Sequence, residues 1–169
     1  MFLGSPFGIR TGTPMIFYHH TAKESLPAIL DKGLMLGSIN LSRDRIENGV
    51  WLTTSPEPKG HGLTYGEPVT EVHRQSLWNR CRGRFPADFT HWPDKSTARI
   101  KIMIPSSDRC LVRWLAWGKK RCDPHLFASL NEAEHMGGAH KTWWLYLGVI
   151  DPSRFLSVEV DRLVGNLHG

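Results

Sequence analysis

Cysteine is scarce in this chain of 169 residues: Cys81, Cys110 and Cys122 are the only three. An odd count at irregular spacing argues against a disulfide framework and fits reduced thiols, so a cytoplasmic protein is expected. Cys122 and His125 have the spacing of half a zinc site, but no second pair completes it, and no metal is expected. No apolar run approaches the roughly 18 residues of a membrane span. The first fourteen residues have neither a continuous apolar stretch nor an early basic region, which argues against a secretory signal. Acidic residues are outnumbered: 16 Asp and Glu face 21 Lys and Arg, giving a net charge of +5.

What is present describes a globular chain. Hydrophobic residues make up 40% and charged residues 22%, so a core can form and disorder is not expected. The length suits a single domain over 1–169. Seven tryptophans point to a core or cleft wall built from large rings. The positive balance suits acidic partners such as nucleic acid or a dinucleotide phosphate, or else only a basic surface.

Residues 15–19 and 50–54 are short runs of β-branched and aromatic residues and read as strands. Between them, Ser25 can cap a helix whose apolar face is Leu26, Ile29 and Leu30 and which stops at Gly33. Residues 37–49 are polar and read as a loop. From 56 to 97 the chain is rich in Pro and Gly and reads as a long irregular segment, the kind that carries function. Residues 98–104 alternate as a strand, whereas 108–120 fit either strand or helix. Asp123 can cap a helix that ends at Gly137-Gly138. Residues 142–150 form an apolar run suited to a buried central strand. Residues 155–160 alternate again, with Phe155, Ser157 and Glu159 on one face and Leu156, Val158 and Val160 toward the core. Five or six strands with a few short helices make an α+β fold.

Two motifs carry chemistry. Tyr18-His19-His20-Thr21 ends the first strand, and Thr53-Thr54-Ser55 ends the second. A strand ending in Tyr-His-x-Thr, a helix closing on Gly33-Leu34 and a strand ending in Thr-Thr-Ser resemble the ADP-ribosyltransferase fold over about residues 15–55. The resemblance implies a split, mixed or antiparallel sheet with NAD bound in the cleft between its halves. It implies that His19, Thr21, Thr53, Thr54 and Ser55 hold the cofactor, with Tyr65 stacking on the nicotinamide. Period-two alternation turns His20 to the other face and lets only one of Thr53 and Thr54 line the cleft. The implied chemistry passes through a cation at the ribose, which a carboxylate would stabilise. Glu159 is the first candidate for that acid, Glu132 the next, with Glu134 also eligible; His19 completes the implied catalytic set. A small enzyme of this type would suit a toxin, a defence factor or a phage-borne modifier.

The acceptor implied is a nucleic acid or a protein. Arg74, Arg80, Arg82 and Arg84 interleave with aromatic residues over 73–92, a composition that binds a phosphate backbone and stacks bases, or that forms a basic loop with core-plugging rings. Two alternatives stand beside the transferase. One is a non-catalytic basic α+β module that binds nucleic acid or a partner protein. The other is an enzyme similar to the RNA 2′-phosphotransferases, which share the fold and NAD but rely on His and Arg rather than Glu.

Overall fold

The computed structural model describes residues 12–35, 37–80, 89–132 and 139–160. Eight strands and four α-helices run through them in the order β1 (Pro14–Thr21), α1 (Leu26–Lys32), β2 (Ser38–Asn40), β3 (Ile46–Asn48), β4 (Val50–Thr53), α2 (Glu71–Arg80), β5 (Ala98–Pro105), β6 (Leu111–Arg113), α3 (Trp114–Arg121), α4 (Pro124–Glu132), β7 (Trp143–Tyr146) and β8 (Phe155–Val160). Six strands form one antiparallel sheet in the order β6-β7-β4-β1-β5-β8, and β2 with β3 forms a separate hairpin. The fold is α+β.

Strand β5 shows why the sheet forms. Ala98, Ile100, Ile102 and Ile104 are fully buried and alternate with Arg99, Lys101 and Met103. Each buried isoleucine contributes about 1.5–3 kcal/mol. All eight residues of β1 pair with β5, which sets Phe17 opposite Ile102, His19 opposite Ile100 and Thr21 opposite Ala98. Cross-strand partners share a face. Helix α1 closes this face with Leu26 and Ile29, joined by Leu34, Val50, Leu52 and Ile150. A second apolar cluster lies on the opposite face of β4 and β7. There Leu145 and Trp51 meet Trp114 of α3, Phe127 of α4 and Ile39 and Leu41 around the hairpin.

Gly33 ends α1 at φ 81°, and its N–H donates to the Ile29 carbonyl at 2.8 Å. A Cβ there would lie 2.4 Å from the Ile150 carbonyl oxygen. Glycine is therefore required twice, for its dihedral and for the close approach that lets Leu34 bridge Ile150.

Several local expectations need correction. Residues 37–49 are not a plain loop: they hold the β2–β3 hairpin, with Ile39 buried beneath Trp114. Ser25 stands at the N-cap of α1 but makes no side-chain capping bond, and Leu30 is half exposed. Residues 108–120 are both strand and helix, since β6 runs directly into α3. The apolar run at 142–150 supplies only the four-residue β7, preceded by a 3₁₀ turn over Ala139–Thr142. In β8 the alternation breaks. Lys101 pairs with Ser157 but Ile102 pairs with Phe155, so Leu156 is extruded as a bulge and is half exposed. Phe155 and Val158 both pack on the core, where simple period-two reasoning separates them. Asp123 does cap α4, accepting from the His125 and Leu126 backbone N–H groups at 2.9 and 3.2 Å. Residues 133–138, including Glu134 and the expected helix end at Gly137-Gly138, lie outside the described residues.

Candidate functional site

The sheet is weakest at its middle. Strands β1 and β5 share eight residue pairs, whereas β1 and β4 share one, Tyr18 with Thr53. The sheet therefore parts into two three-stranded halves, β6-β7-β4 and β1-β5-β8, hinged at that pair. Beyond it a side chain spans the gap. His19 Nδ1 lies 2.9 Å from the Trp51 carbonyl oxygen. A carbonyl only accepts, so Nδ1 carries the proton and Nε2 keeps its lone pair. Burial lowers the His19 pKa; the bond to Trp51 opposes this, and the positive charge of Lys95 adds to it.

A cleft of about 640 Å³ opens along this joint. Its size is that of a pocket for a drug-sized or cofactor-sized ligand. Because the sheet is open here, residues of both faces reach it: His19 and Thr21 from one side, Tyr18 and His20 from the other. Period-two reasoning set His20 apart from the site, and the split in the sheet brings it back. His20 is only 7% exposed, and neither ring nitrogen has a hydrogen-bond partner. Its ring stacks on that of His61, centroids 5.6 Å apart and 28° between planes. Burial, with the nearby charges of His61, His19 and Arg99, pushes the His20 pKa down to about 4; the Ser55 backbone opposes this from outside hydrogen-bond geometry.

His61 is held by Trp143, whose indole N–H donates to His61 Nδ1 at 2.7 Å. Burial lowers its pKa too, against the nearby Glu57 backbone. His61 sits between Gly60 and Gly62, both at positive φ, in the segment that follows β4. The sequence signal was there, a histidine flanked by two glycines just after the Thr-Thr-Ser motif, but glycine alone reads as a turn.

Hydroxyl groups complete the joint. Thr53 Oγ1 lies 2.7 Å from Thr142 Oγ1 and accepts from the Ser55 N–H at 3.0 Å. Thr142 in turn donates to the Ala139 carbonyl at 2.7 Å, which makes Thr53 the donor to Thr142. Thr53 lines the cleft, whereas Thr54 is exposed and Ser55 stands outside the lining. Lys32 enters from the end of α1. Lys95 enters from a ribbon in which Thr64, Glu67 and Val69 are hydrogen-bonded to Lys95, Trp92 and Thr90 at 2.8–2.9 Å. The walls carry two lysines, three histidines and the rings of Tyr18, Trp51 and Trp143, but no Asp or Glu among the described residues. The cleft is built to attract an anion and to stack a flat ring.

The remaining expected site residues fall elsewhere. Tyr65 is 52% exposed, bridges Asp94 and donates from its hydroxyl to the Pro58 carbonyl at 3.3 Å, so it does not reach the cleft. His61 and Leu63 of the same segment do. Glu159 lies on the edge strand β8 and binds Arg99 at 2.6 Å; Glu132 is exposed at the end of α4. Neither lines the cleft. Arg74 lies on α2 beside Glu71 at 3.5 Å, and Arg80 is the last described residue of that helix. Arg82 and Arg84 lie outside the described residues. Of the aromatic residues in that stretch, Trp92 packs against His73 and Phe89.

Among the described residues, no helix is long and apolar enough to cross a membrane, and no group of three His, Cys, Asp or Glu is arranged to hold a metal ion. No protein-family model, no curated protein and no solved structure matches this chain.

Proposed function

We propose that this chain is an NAD-dependent transferase of the ADP-ribosyltransferase type, acting on a macromolecular acceptor, nucleic acid ahead of protein. One observation carries the reading: a sheet that parts at a single residue pair, with a cleft at the parting lined by His19, Thr21 and Thr53. Those three belong to the two motifs that suggested the family. The net charge of +5 favours an anionic acceptor.

The residues present fit NAD. Lys32 and Lys95 would attract its pyrophosphate, in walls whose described residues include no opposing carboxylate. Tyr18, Trp51 and Trp143 offer faces for its rings. His19, kept neutral by burial and held by Trp51, offers the Nε2 lone pair to a ribose hydroxyl. Thr21 and Thr53 add hydroxyls at the same joint. NAD supplies the glycosidic bond to be broken. The chain holds its two halves in register and supplies neutral hydrogen-bonding groups at the joint.

The missing carboxylate favours a second reading. The cation at the ribose has no Asp or Glu beside it among the described lining residues, and Glu159 is bound to Arg99. An enzyme similar to the RNA 2′-phosphotransferases, working with His and basic groups on a phosphate, suits such a cleft. The deciding experiment is nicotinamide release from NAD by the purified protein, alone and with DNA, RNA, 2′-phosphorylated RNA or cell lysate, with His19→Ala as control. Release that the variant loses supports the NAD reading, and the stimulating additive names the acceptor. No release from folded protein under any of these conditions removes both readings.

A further inference from the structure

The cleft holds a pair of groups that the mechanism above leaves unused. His20 is 93% removed from solvent, with both ring nitrogens buried and unbonded. His61 Nε2 is likewise buried and unbonded. The Ser55 and Glu57 backbones lie near these rings but outside hydrogen-bond geometry. A buried polar group without a partner costs stability, so three such nitrogens on one cleft wall need an explanation.

The tautomers define what the wall offers. Trp143 donates to His61 Nδ1, so the His61 proton sits on Nε2 and that nitrogen is a donor. A neutral His20 adds one donor and one acceptor. The wall therefore presents donors together with an acceptor, beside the stacked imidazoles and the Trp143 indole. A phosphate accepts only and would leave the His20 acceptor nitrogen unpaired. A planar uncharged edge that both donates and accepts can accept from the His61 Nε2–H and donate to the acceptor nitrogen of His20.

We propose that His20 and His61 form the subsite for a planar, uncharged amide or amidine edge, the chemistry shared by a pyridine carboxamide and an adenine ring. The proposal rests on the NAD-cleft reading and adds to it the residues that recognise a ring rather than a phosphate.

The test uses full-length protein with ¹⁵N-labelled histidine. Ring-nitrogen resonances are followed during separate titrations with nicotinamide, adenosine, NAD and inorganic pyrophosphate. Movement of the His20 and His61 resonances by nicotinamide or by adenosine, and not by pyrophosphate, is expected, and the active ligand says which ring the wall takes. His61→Phe keeps the ring stack and should weaken that ligand about tenfold, the effect of one lost hydrogen bond. If His61→Phe and His20→Leu both bind it as wild type does, the pair is structural and the proposal falls. It also falls if no ligand moves either ring, in which case the nitrogens are met by water. NAD that moves only His19 sinks the subsite and leaves the transferase reading standing. Nicotinamide or adenosine that moves the pair, with no NAD binding or cleavage, does the reverse.

Discussion

His19 Nδ1 donates to the Trp51 carbonyl across the one place where the central sheet is not laddered. The histidine is thus a structural tie between the two half-sheets as well as a cleft residue. His19→Ala should lower stability by about 1–3 kcal/mol, the cost of leaving the buried partner unpaired. Urea melts followed by circular dichroism would measure this. On the proposed function the same variant should lose about 100-fold or more in kcat/KM for nicotinamide release, about 2.7 kcal/mol of transition-state stabilisation. A stability loss with full activity would leave His19 as the tie alone.

Acid should loosen this cleft before it titrates the ordinary carboxylates. The His20 pKa is lowered from 6.5 to about 4 by burial first and by neighbouring positive charge second. Between those values the unfolded chain binds a proton that the folded chain refuses, so stability is present above pH 6.5 and is lost as pH falls toward 4. His20 alone accounts for about 3 kcal/mol of that loss. His19 and His61, also lowered by burial, act in the same direction. Urea unfolding free energies from pH 7.5 to 4 should fall steadily, and His20→Leu should flatten the slope. A curve that is level down to pH 4.5 would contradict the buried neutral histidine.

Much of the frame could be read in advance because alternation over full strands is a strong signal. Residues 98–104 and the first two strands are where the hydrophobic pattern put them, and Asp123 caps its helix. The failures have local causes. The hairpin at residues 38–48 fully buries just two apolar residues, Ile39 and Leu41, too few to show as a pattern in a polar segment. A bulge at Leu156 shifts the phase of β8 by one residue, and nothing in the composition of 155–160 announces it. At the site, His19, Thr21 and Thr53 were legible from their motifs, whereas His20 was set aside by a face argument that holds only in a closed sheet. His61 and Lys95 reach the cleft through tertiary contacts of a long irregular segment, which no periodicity reports.

The second core should be the more sensitive to single changes. Trp114 is fully buried, touches Trp51 at 4.8 Å and Phe127 at 5.5 Å between ring centroids, and donates from its indole nitrogen to Asn131 Oδ1 at 2.9 Å. Trp114→Ala should cost about 3–5 kcal/mol through lost packing and the cavity left behind. Asn131→Ala should cost about 1–3 kcal/mol, since it strands a buried N–H without removing the ring. Thermal or urea denaturation of the two variants would separate packing from hydrogen bonding. Equal losses would mean that the hydrogen bond, not the ring, dominates.

Arg99 and Glu159 give the sharpest test of which charged residues serve the cleft. The guanidinium lies opposite His20 on β5, binds Glu159 at 2.6 Å, stacks over the Tyr18 ring at 5.4 Å and donates to the Pro56 carbonyl. It therefore ties the segment after β4, which carries His61, to the sheet that carries His20. Glu159 meets this arrangement from the edge strand β8 and does not line the cleft. Glu159→Gln keeps an acceptor for Arg99 and should leave nicotinamide release within about threefold of wild type, whereas removal of a carboxylate acting on the ribose would cost about 100-fold or more. Arg99→Ala frees the Pro56 carbonyl and unloads the segment carrying His61, so KM for NAD should rise about tenfold while the fold persists. The reverse order of effects, with Glu159→Gln the damaging change, would assign the carboxylate a direct part in the chemistry and would require Arg99 to release it when the substrate binds.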